Sequence, residues 1–442
     1  MSVFKFKNYE FDYQTLEATF RYIGADGTEF CEQVQFAKPL GQPIPADDKH
    51  FMMLLDSALF LAFYLIGTSY YKSRPTKKVE SFQLDREQAR FFSIVYQDGL
   101  SQYAFENHLT RADLATFKAD SPADLAEHNN FRRHYLDGAK YPKLNGFTDS
   151  SLILQSGGKD SLLNSELHQN IPHSYWYLSS SEKHPQLLDQ LDQPLQHAIR
   201  HLDHAALQKS KGFNGHVPVT YIVMSLALIQ AILNRQKYVL TSIGQEGAEA
   251  HAIIRKSGRI SHDFKKVNDG DLLVNHQWSK SAEAEKLFEA YVRQYISPEF
   301  RVYSPLRQYT ELKIAQLFAE KCWQKYSQKF SSCNIANYTQ GADNTKLQWC
   351  GKCAKCANAY LLFAPFIPRQ KLDNLFDGYS LFEQPELLDD FEGLLGIEDK
   401  MKPFECVGEI DELRYAYHHR RPEYPELPFK VPPSDFNIDR EP

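Results

Sequence analysis

Apolar and polar positions alternate from residue 18 to residue 37, and the alternation breaks only at Gly24-Ala-Asp-Gly27. Strands over 19–23 and 29–36 joined by a turn are the expected hairpin. Residues 51–72 are apolar nearly all round near 59–66, which predicts a helix buried on every side. A further helix is expected around 86–99. From residue 145 to about 368 short apolar runs alternate with helical patterns. Strands are expected at 151–155, 175–179 and 238–242. Helices are expected at 162–167, 198–208, 219–234 and 281–295, the last amphipathic. This alternation predicts an α/β fold, a doubly wound parallel sheet that takes ligands outside the carboxyl ends of its strands. Residues 1–140 stand apart as a mixed α+β region and 141–417 as the α/β domain. Residues 418–442, rich in proline and charge, are expected to wrap the surface or be partly disordered.

Composition narrows the class. At 442 residues, two domains are the prior expectation, and 43% hydrophobic with 24% charged residues suits a soluble globular chain. Fifty basic against 56 acidic residues, a net charge of −6, disfavours nucleic acid as a partner. The first eight residues lack an apolar leader core. The longest apolar runs, 57–67 and 223–233, fall short of the ~20 residues that span a bilayer. A cytoplasmic protein without a membrane segment is expected. Oligomeric state is not legible.

Between the strand at 151–155 and the following helix lies Ser156-Gly157-Gly158-Lys159-Asp160-Ser161. Strand, glycine turn and helix start aim backbone N–H groups and a helix dipole at one point, and two glycines allow a phosphate to approach closely. Lys159 adds a fixed charge. Asp160 and Ser161 offer capping groups or ligands for magnesium. The spacing is not that of a Walker A loop. It resembles the PP-loop of the ATP pyrophosphatases, which split ATP between its α and β phosphates and commonly adenylate a carboxylate or carbonyl oxygen.

Four of seven cysteines cluster. Cys350, Cys353 and Cys356 have two-residue spacers, and Cys333 precedes them across sixteen residues. The set fits a closed tetrahedral zinc site, which is structural because no position remains for water. Metal-free thiols and a redox pair are the alternatives. Cys31, Cys322 and Cys406 are expected to be ordinary buried residues. A PP-loop followed by four cysteines is similar to 7-cyano-7-deazaguanine synthase, a much shorter enzyme.

Further segments, in order, are Gly67-Thr-Ser-Tyr-Tyr-Lys72, Asn214-Gly-His-Val-Pro-Val-Thr220, Val274-Asn-His-Gln-Trp-Ser-Lys-Ser281, Tyr303-Ser-Pro-Leu-Arg-Gln-Tyr-Thr-Glu-Leu312, Ser332-Cys-Asn334, Trp349-Cys-Gly-Lys-Cys-Ala-Lys-Cys356 and Lys402-Pro-Phe-Glu-Cys-Val-Gly-Glu409. With the PP-loop they resemble the ATP-dependent UDP-N-acetylmuramoyl-L-alanyl-L-glutamate epimerase family (MurL) of bacterial peptidoglycan synthesis, over nearly the whole chain. The turn Ser242-Ile-Gly-Gln-Glu-Gly-Ala-Glu249 departs from the Ser-Asn-Glu-like turn expected there.

The resemblance implies a small UDP-linked muramoyl dipeptide as substrate, whose terminal L-Glu is adenylated and inverted to D-Glu with release of AMP and pyrophosphate. A carboxylate-adenylating ligase acting on a deazapurine, a nucleic acid or a protein terminus is the alternative, and a non-catalytic nucleotide sensor a third. Ser156, Gly157, Gly158, Lys159, Asp160 and Ser161 are the candidates for ATP, and Asp160 and Glu246 for magnesium. Lys159 and Asp160 are the catalytic candidates within the loop. His216 and His276 are candidate bases, since a near-neutral imidazole suits proton abstraction. Each is also readable as a hydrogen-bonded structural histidine. Lys280 and Arg307 are candidates for nucleotide, phosphate or substrate carboxylate. Tyr70, Tyr71 and Lys72 are candidates for reaching the substrate from the N-terminal region.

Overall fold

The computed structural model describes residues 2–41, 43–45, 47–121, 144–338 and 345–439. Nine strands form one sheet: β1 (Phe4–Asp12), β2 (Glu17–Ile23), β3 (Glu29–Gln35), β4 (Val79–Glu80), β5 (Thr148–Leu154), β6 (His173–Ser179), β7 (Leu195–His201), β8 (Gln236–Leu240) and β12 (Arg301–Tyr303). Their order is β12-β8-β5-β6-β7-β3-β2-β1-β4. The five strands β12, β8, β5, β6 and β7 are mutually parallel. The three short strands β9 (Ala252–Ile254), β10 (Ile260–Ser261) and β11 (Leu272–Val274) make a separate antiparallel sheet.

The chain runs from β5 outward through β6 to β7, then returns to place β8 on the other side of β5. That reversal opens a crevice at the carboxyl ends of β5 and β8, where open α/β sheets bind ligands. Adjacent residues on these buried strands enter different cores. Leu152, Trp176 and Val239 pack with the first core, and Ile153, Tyr175 and Leu240 form a small cluster of their own. Helices α1 (Lys49–Tyr71), α2 (Arg86–Gln97), α4 (Val219–Asn234) and α5 (Ala282–Tyr295) belong to the first core. Helices α3 (Lys159–Leu167), α6 (Glu311–Lys321), α7 (Ala354–Phe363) and α8 (Ile410–His418) build a second core.

Among the described residues, the N-terminal strands join the central sheet. β3 pairs antiparallel with β7 over Gln33–Gln35, so the N-terminal hairpin continues the central sheet. Glu32, fully buried, receives Arg200 Nε at 2.6 Å, and residues from Phe4 to Val302 share one core. The expected boundary near 140 lies outside the described residues. The long apolar segment is also longer than the run 57–67 suggested. α1 has 23 residues and enough apolar character to cross a membrane, but its most apolar window is 83% buried in protein, as a core helix is.

The expected helix at 198–208 is half wrong. Residues Leu195–His201 form β7, parallel to β6, and only His204–Ser210 is helical, started by Asp203 accepting from Ala206 N–H. After α8 the chain wraps the second core, anchored by buried Tyr424, Leu427 and Val431.

Candidate active site

The loop between β5 and α3 is shaped by its own side chains. Gly157 has φ of +77°, open to glycine and strained for other residues. A side chain there would also strike Leu347. Ser156 Oγ accepts from Gly158 N–H at 3.3 Å, and Ser161 Oγ donates to the Gly158 carbonyl at 3.1 Å. Lys159 opens α3, and Asp160 sits in its first turn, where a negative charge suits the helix dipole.

This loop forms one wall of a cavity of about 590 Å³ at the β5/β8 crevice. Within it Lys159 Nζ lies 2.6 Å from both Asp160 Oδ1 and Glu311 Oε2. Burial opposes the lysine charge, but the two carboxylates outweigh it and raise its pKa. Burial, against the pull of Lys159 and with the push of Asp160 and Glu246, raises Glu311 to about 8. Glu311 Oε1 is buried with no hydrogen-bond partner among the described residues. An orphaned carboxylate oxygen amid three acids is a donor set suited to a hard divalent cation.

Glu246 follows β8 and is also buried in this wall. It accepts from Gln277 Nε2 at 2.7 Å and pairs with Lys280 Nζ at 3.3 Å. Burial disfavours the Lys280 charge, while Cys406, Glu246, Glu311 and Asp160 outweigh burial and keep it protonated.

His216 and His276 meet in the same cavity with ring centroids 4.4 Å apart. Burial first, then His276, Lys72 and Lys280, lowers His216 to about 3. His276 falls to about 4 through burial, with Glu405 opposing and Lys280 assisting. Both rings are therefore neutral at neutral pH.

Four cysteine sulfurs, Cys333, Cys350, Cys353 and Cys356, lie within 4.8 Å of one another. The resolved gaps are 3.9 Å (Cys333–Cys353), 3.7 Å (Cys350–Cys356) and 3.6 Å (Cys353–Cys356). A tetrahedron of metal–sulfur bonds near 2.3 Å has edges of about 3.8 Å, so these residues fit zinc. The gaps are far too long for disulfides. The cluster adjoins the glycine loop: Cys333 N–H donates to Ser331 Oγ, and Ser331 N–H to the Gly157 carbonyl.

Two family models match the sequence, the MurL N-terminal domain over residues 1–305 and the MurL C-terminal domain over residues 329–426. The chain belongs to the MurL family. It is an enzyme of the isomerase class, an epimerase. It is 30% identical over 422 residues to a UDP-N-acetyl-alpha-D-muramoyl-L-alanyl-L-glutamate epimerase of Xanthomonas oryzae pv. oryzae, covering 94% of this chain and 85% of that protein. Proteins of the same name from Salinispora tropica and a Micromonospora species are each 30% identical, covering 93% of this chain and 83% and 85% of their own lengths.

Of the expected site residues in this MurL-family chain, Ser156, Gly158, Lys159, Asp160, Ser161, Glu246, His216, His276 and Lys280 line the one cavity. Three do not. Tyr70 and Tyr71 are fully buried in the aromatic core: Tyr70 Oη donates to Glu32 at 2.7 Å and Tyr71 Oη to the Thr76 carbonyl at 3.0 Å. Arg307 turns away to pair with Glu285 at 3.1 Å and to hold the Gly244 carbonyl at 2.5 Å, bracing the turn after β8. Lys72 stands behind the wall, its ammonium donating to Asn214 Oδ1 at 2.7 Å and to the Gly215 carbonyl at 3.0 Å, and so tethers the loop of His216.

The residues missed are Glu311, Gln277 and Cys406. All three lie inside segments that carried the family resemblance, the only signal that marked them. Cys31 and Cys406 also depart from the expectation of burial: Cys31 is exposed, and Cys406 is half-buried in the cavity wall.

Proposed function

We propose that this MurL-family epimerase uses ATP to activate the terminal carboxylate of UDP-MurNAc-L-Ala-L-Glu and inverts the glutamate α-carbon to the D configuration, releasing AMP and pyrophosphate for peptidoglycan precursor synthesis in the cytoplasm. The observation that carries the proposal is the meeting of the glycine loop, three acidic residues and two neutral histidines around one cavity. The relatives' printed substrate supports the choice of peptide.

Removing a proton beside a free carboxylate would build a dianion. Joining that carboxylate to the AMP moiety neutralises it and makes its carbonyl an electron sink, so a modest base suffices. The loop from Ser156 to Ser161 would cradle the phosphates, and Lys159 and Lys280 would balance their charge. Asp160, Glu311 and Glu246 would hold magnesium, which supplies charge neutralisation at the phosphate oxygens. The four cysteines would hold a structural zinc ion that fixes the segment next to Gly157 and Gly158.

The test is an incubation of the purified protein with ATP, magnesium and UDP-MurNAc-L-Ala-L-Glu, with AMP quantified and the glutamate configuration read by chiral chromatography after hydrolysis. AMP and D-Glu, both lost in Lys159→Ala, are expected. AMP without inversion would favour a ligase of the deazaguanine-synthase kind, and no AMP would overturn the activation step.

A further inference from the structure

Cys406 belongs neither to the cysteine cluster nor to a core. It lies in the cavity wall with Sγ 3.7 Å from His276 Nε2. The other ring nitrogen, Nδ1, is 2.5 Å from Gln102 Oε1. The Gln102 amide is oriented by its own Nε2, which donates to Glu106 Oε1 at 2.6 Å. An amide oxygen only accepts, so Nδ1 carries the proton and Nε2 turns a bare lone pair toward the thiol.

The backbone beside Cys406 is fixed. Val407 N–H donates to Gln277 Oε1 at 3.3 Å, and Gly408 N–H to Asn358 Oδ1 at 2.9 Å. Gln277 in turn holds Glu246, so the segment of Cys406 and the acidic wall share one support. Lys280 lines the same cavity as Cys406 and His276. A thiol facing an imidazole acceptor, in a cavity that also holds a lysine, is an arrangement suited to proton transfer.

We propose that Cys406 is a catalytic residue of the epimerisation, the base that takes the substrate's α-proton, with His276 holding the thiol's own proton and His216 returning a proton to the opposite face. The assignment rests on the activation reading above for the acidity of the α-carbon.

The steps balance. The S–H bond opens onto His276 Nε2, and water in the cavity carries a proton from that imidazolium to His216, whose ring centroid lies 4.4 Å away. The thiolate takes the α-proton: the C–H bond breaks, an S–H bond forms, and the electron pair moves onto the carbonyl oxygen of the activated glutamate. An N–H bond of His216 then breaks as a new C–H bond forms on the other face, and the electron pair returns from oxygen to carbon. Thiol and two neutral imidazoles are restored.

The test uses the full-length protein with ATP, magnesium and UDP-MurNAc-L-Ala-L-Glu in deuterium oxide. AMP, deuterium at the glutamate α-carbon and D-Glu are followed separately, with thermal midpoints as the folding check. In Cys406→Ser and Cys406→Ala, deuterium uptake and D-Glu fall by about 100-fold or more while AMP release stays within about threefold of native. In His216→Asn, deuterium enters L-Glu without inversion, because abstraction and return then share one face. Deuterated D-Glu from Cys406→Ala within about tenfold of native would overturn the assignment. So would loss of AMP release in step with deuterium uptake, which marks a packing role, or inversion surviving in His216→Asn. Native protein that inverts without AMP would sink the activation reading and leave the deuterium comparison able to judge Cys406.

Discussion

Lys159 Nζ lies 2.6 Å from Glu311 Oε2, although 152 residues separate the two in sequence. Both side chains are nearly sealed from solvent, so the contact welds the start of α3 to the start of α6 across the cavity. Removing Lys159 leaves the buried Glu311 carboxyl, and Asp160 beside it, without the lysine donor, at a cost of about 1–3 kcal/mol. Lys159→Met is therefore expected to lower stability by an amount in that range and to abolish AMP release. Adding Glu311→Gln removes the stranded carboxylate and restores much of the stability but none of the activity. Urea denaturation of the single and double variants decides it. A single variant as stable as native would mean that the pair is not formed in solution.

Tyr70 is held between Glu32, which accepts from its hydroxyl at 2.7 Å, and the Asp203 N–H, which donates to it at 3.1 Å. Burial, reinforced by Glu32, raises its pKa far beyond the ordinary phenol range, so it stays neutral. Tyr70→Phe keeps the ring and removes the hydroxyl, leaving Glu32 short of a donor at a cost of about 1–3 kcal/mol. The expected outcome is lower stability with KM for the peptide unchanged. A several-fold rise in KM at native-like stability would return Tyr70 to the substrate site.

These two residues mark what the sequence can and cannot disclose. The strand, glycine loop and helix from 151 to 167 were legible because their signals are local: an apolar run, two glycines and an acid in the first helical turn. The helix 219–234 was legible from its continuous apolar pattern. The contacts of Glu311, Cys406 and Arg307 were not, because their partners lie 152, 130 and 22 residues away. The joining of the N-terminal hairpin to the central sheet was hidden for the same reason, since the contact of Glu32 with Arg200 spans 168 residues. β7 was misread because Leu195-Gln-His-Ala-Ile-Arg-His201 has only one β-branched residue, and its pairing with β6, not propensity, makes it a strand.

His251 stacks on Phe404 with ring centroids 4.8 Å apart and donates from Nε2 to the Pro403 carbonyl. Burial lowers it from 6.5 to about 4, aided by the nearby Lys402 and His276 and opposed by Glu249 and by the hydrogen bond to Pro403. The unfolded chain therefore binds this proton first as pH falls. Stability from the neutral ring is complete above pH 6.5 and is lost between 6.5 and 4, by roughly 3 kcal/mol in all. His251→Asn lacks this titration. The stability difference between native and variant should shrink steadily over that window and stay flat above it. A difference independent of pH would mean that His251 titrates as freely as in the unfolded chain.

The cysteine cluster reaches the glycine loop through two hydrogen bonds, from Cys333 N–H to Ser331 Oγ and from Ser331 N–H to the Gly157 carbonyl. Ser332 lies so close that a side chain on Gly158 would meet its hydroxyl at 2.7 Å. A zinc ion bound by four thiolates would thus set the position of the loop facing Gly157 and Gly158 while touching no substrate. One zinc per chain is expected by elemental analysis of the protein purified without chelator. Stripping it, or making Cys353→Ser, should lower the thermal midpoint and raise KM for ATP more than KM for the peptide, because the disturbed segment abuts the proposed phosphate cradle. Zinc restored to the stripped native protein should recover both, and Cys353→Ser should not respond. Full stability and unchanged KM for ATP after complete removal of metal would show that four reduced thiols alone hold this segment.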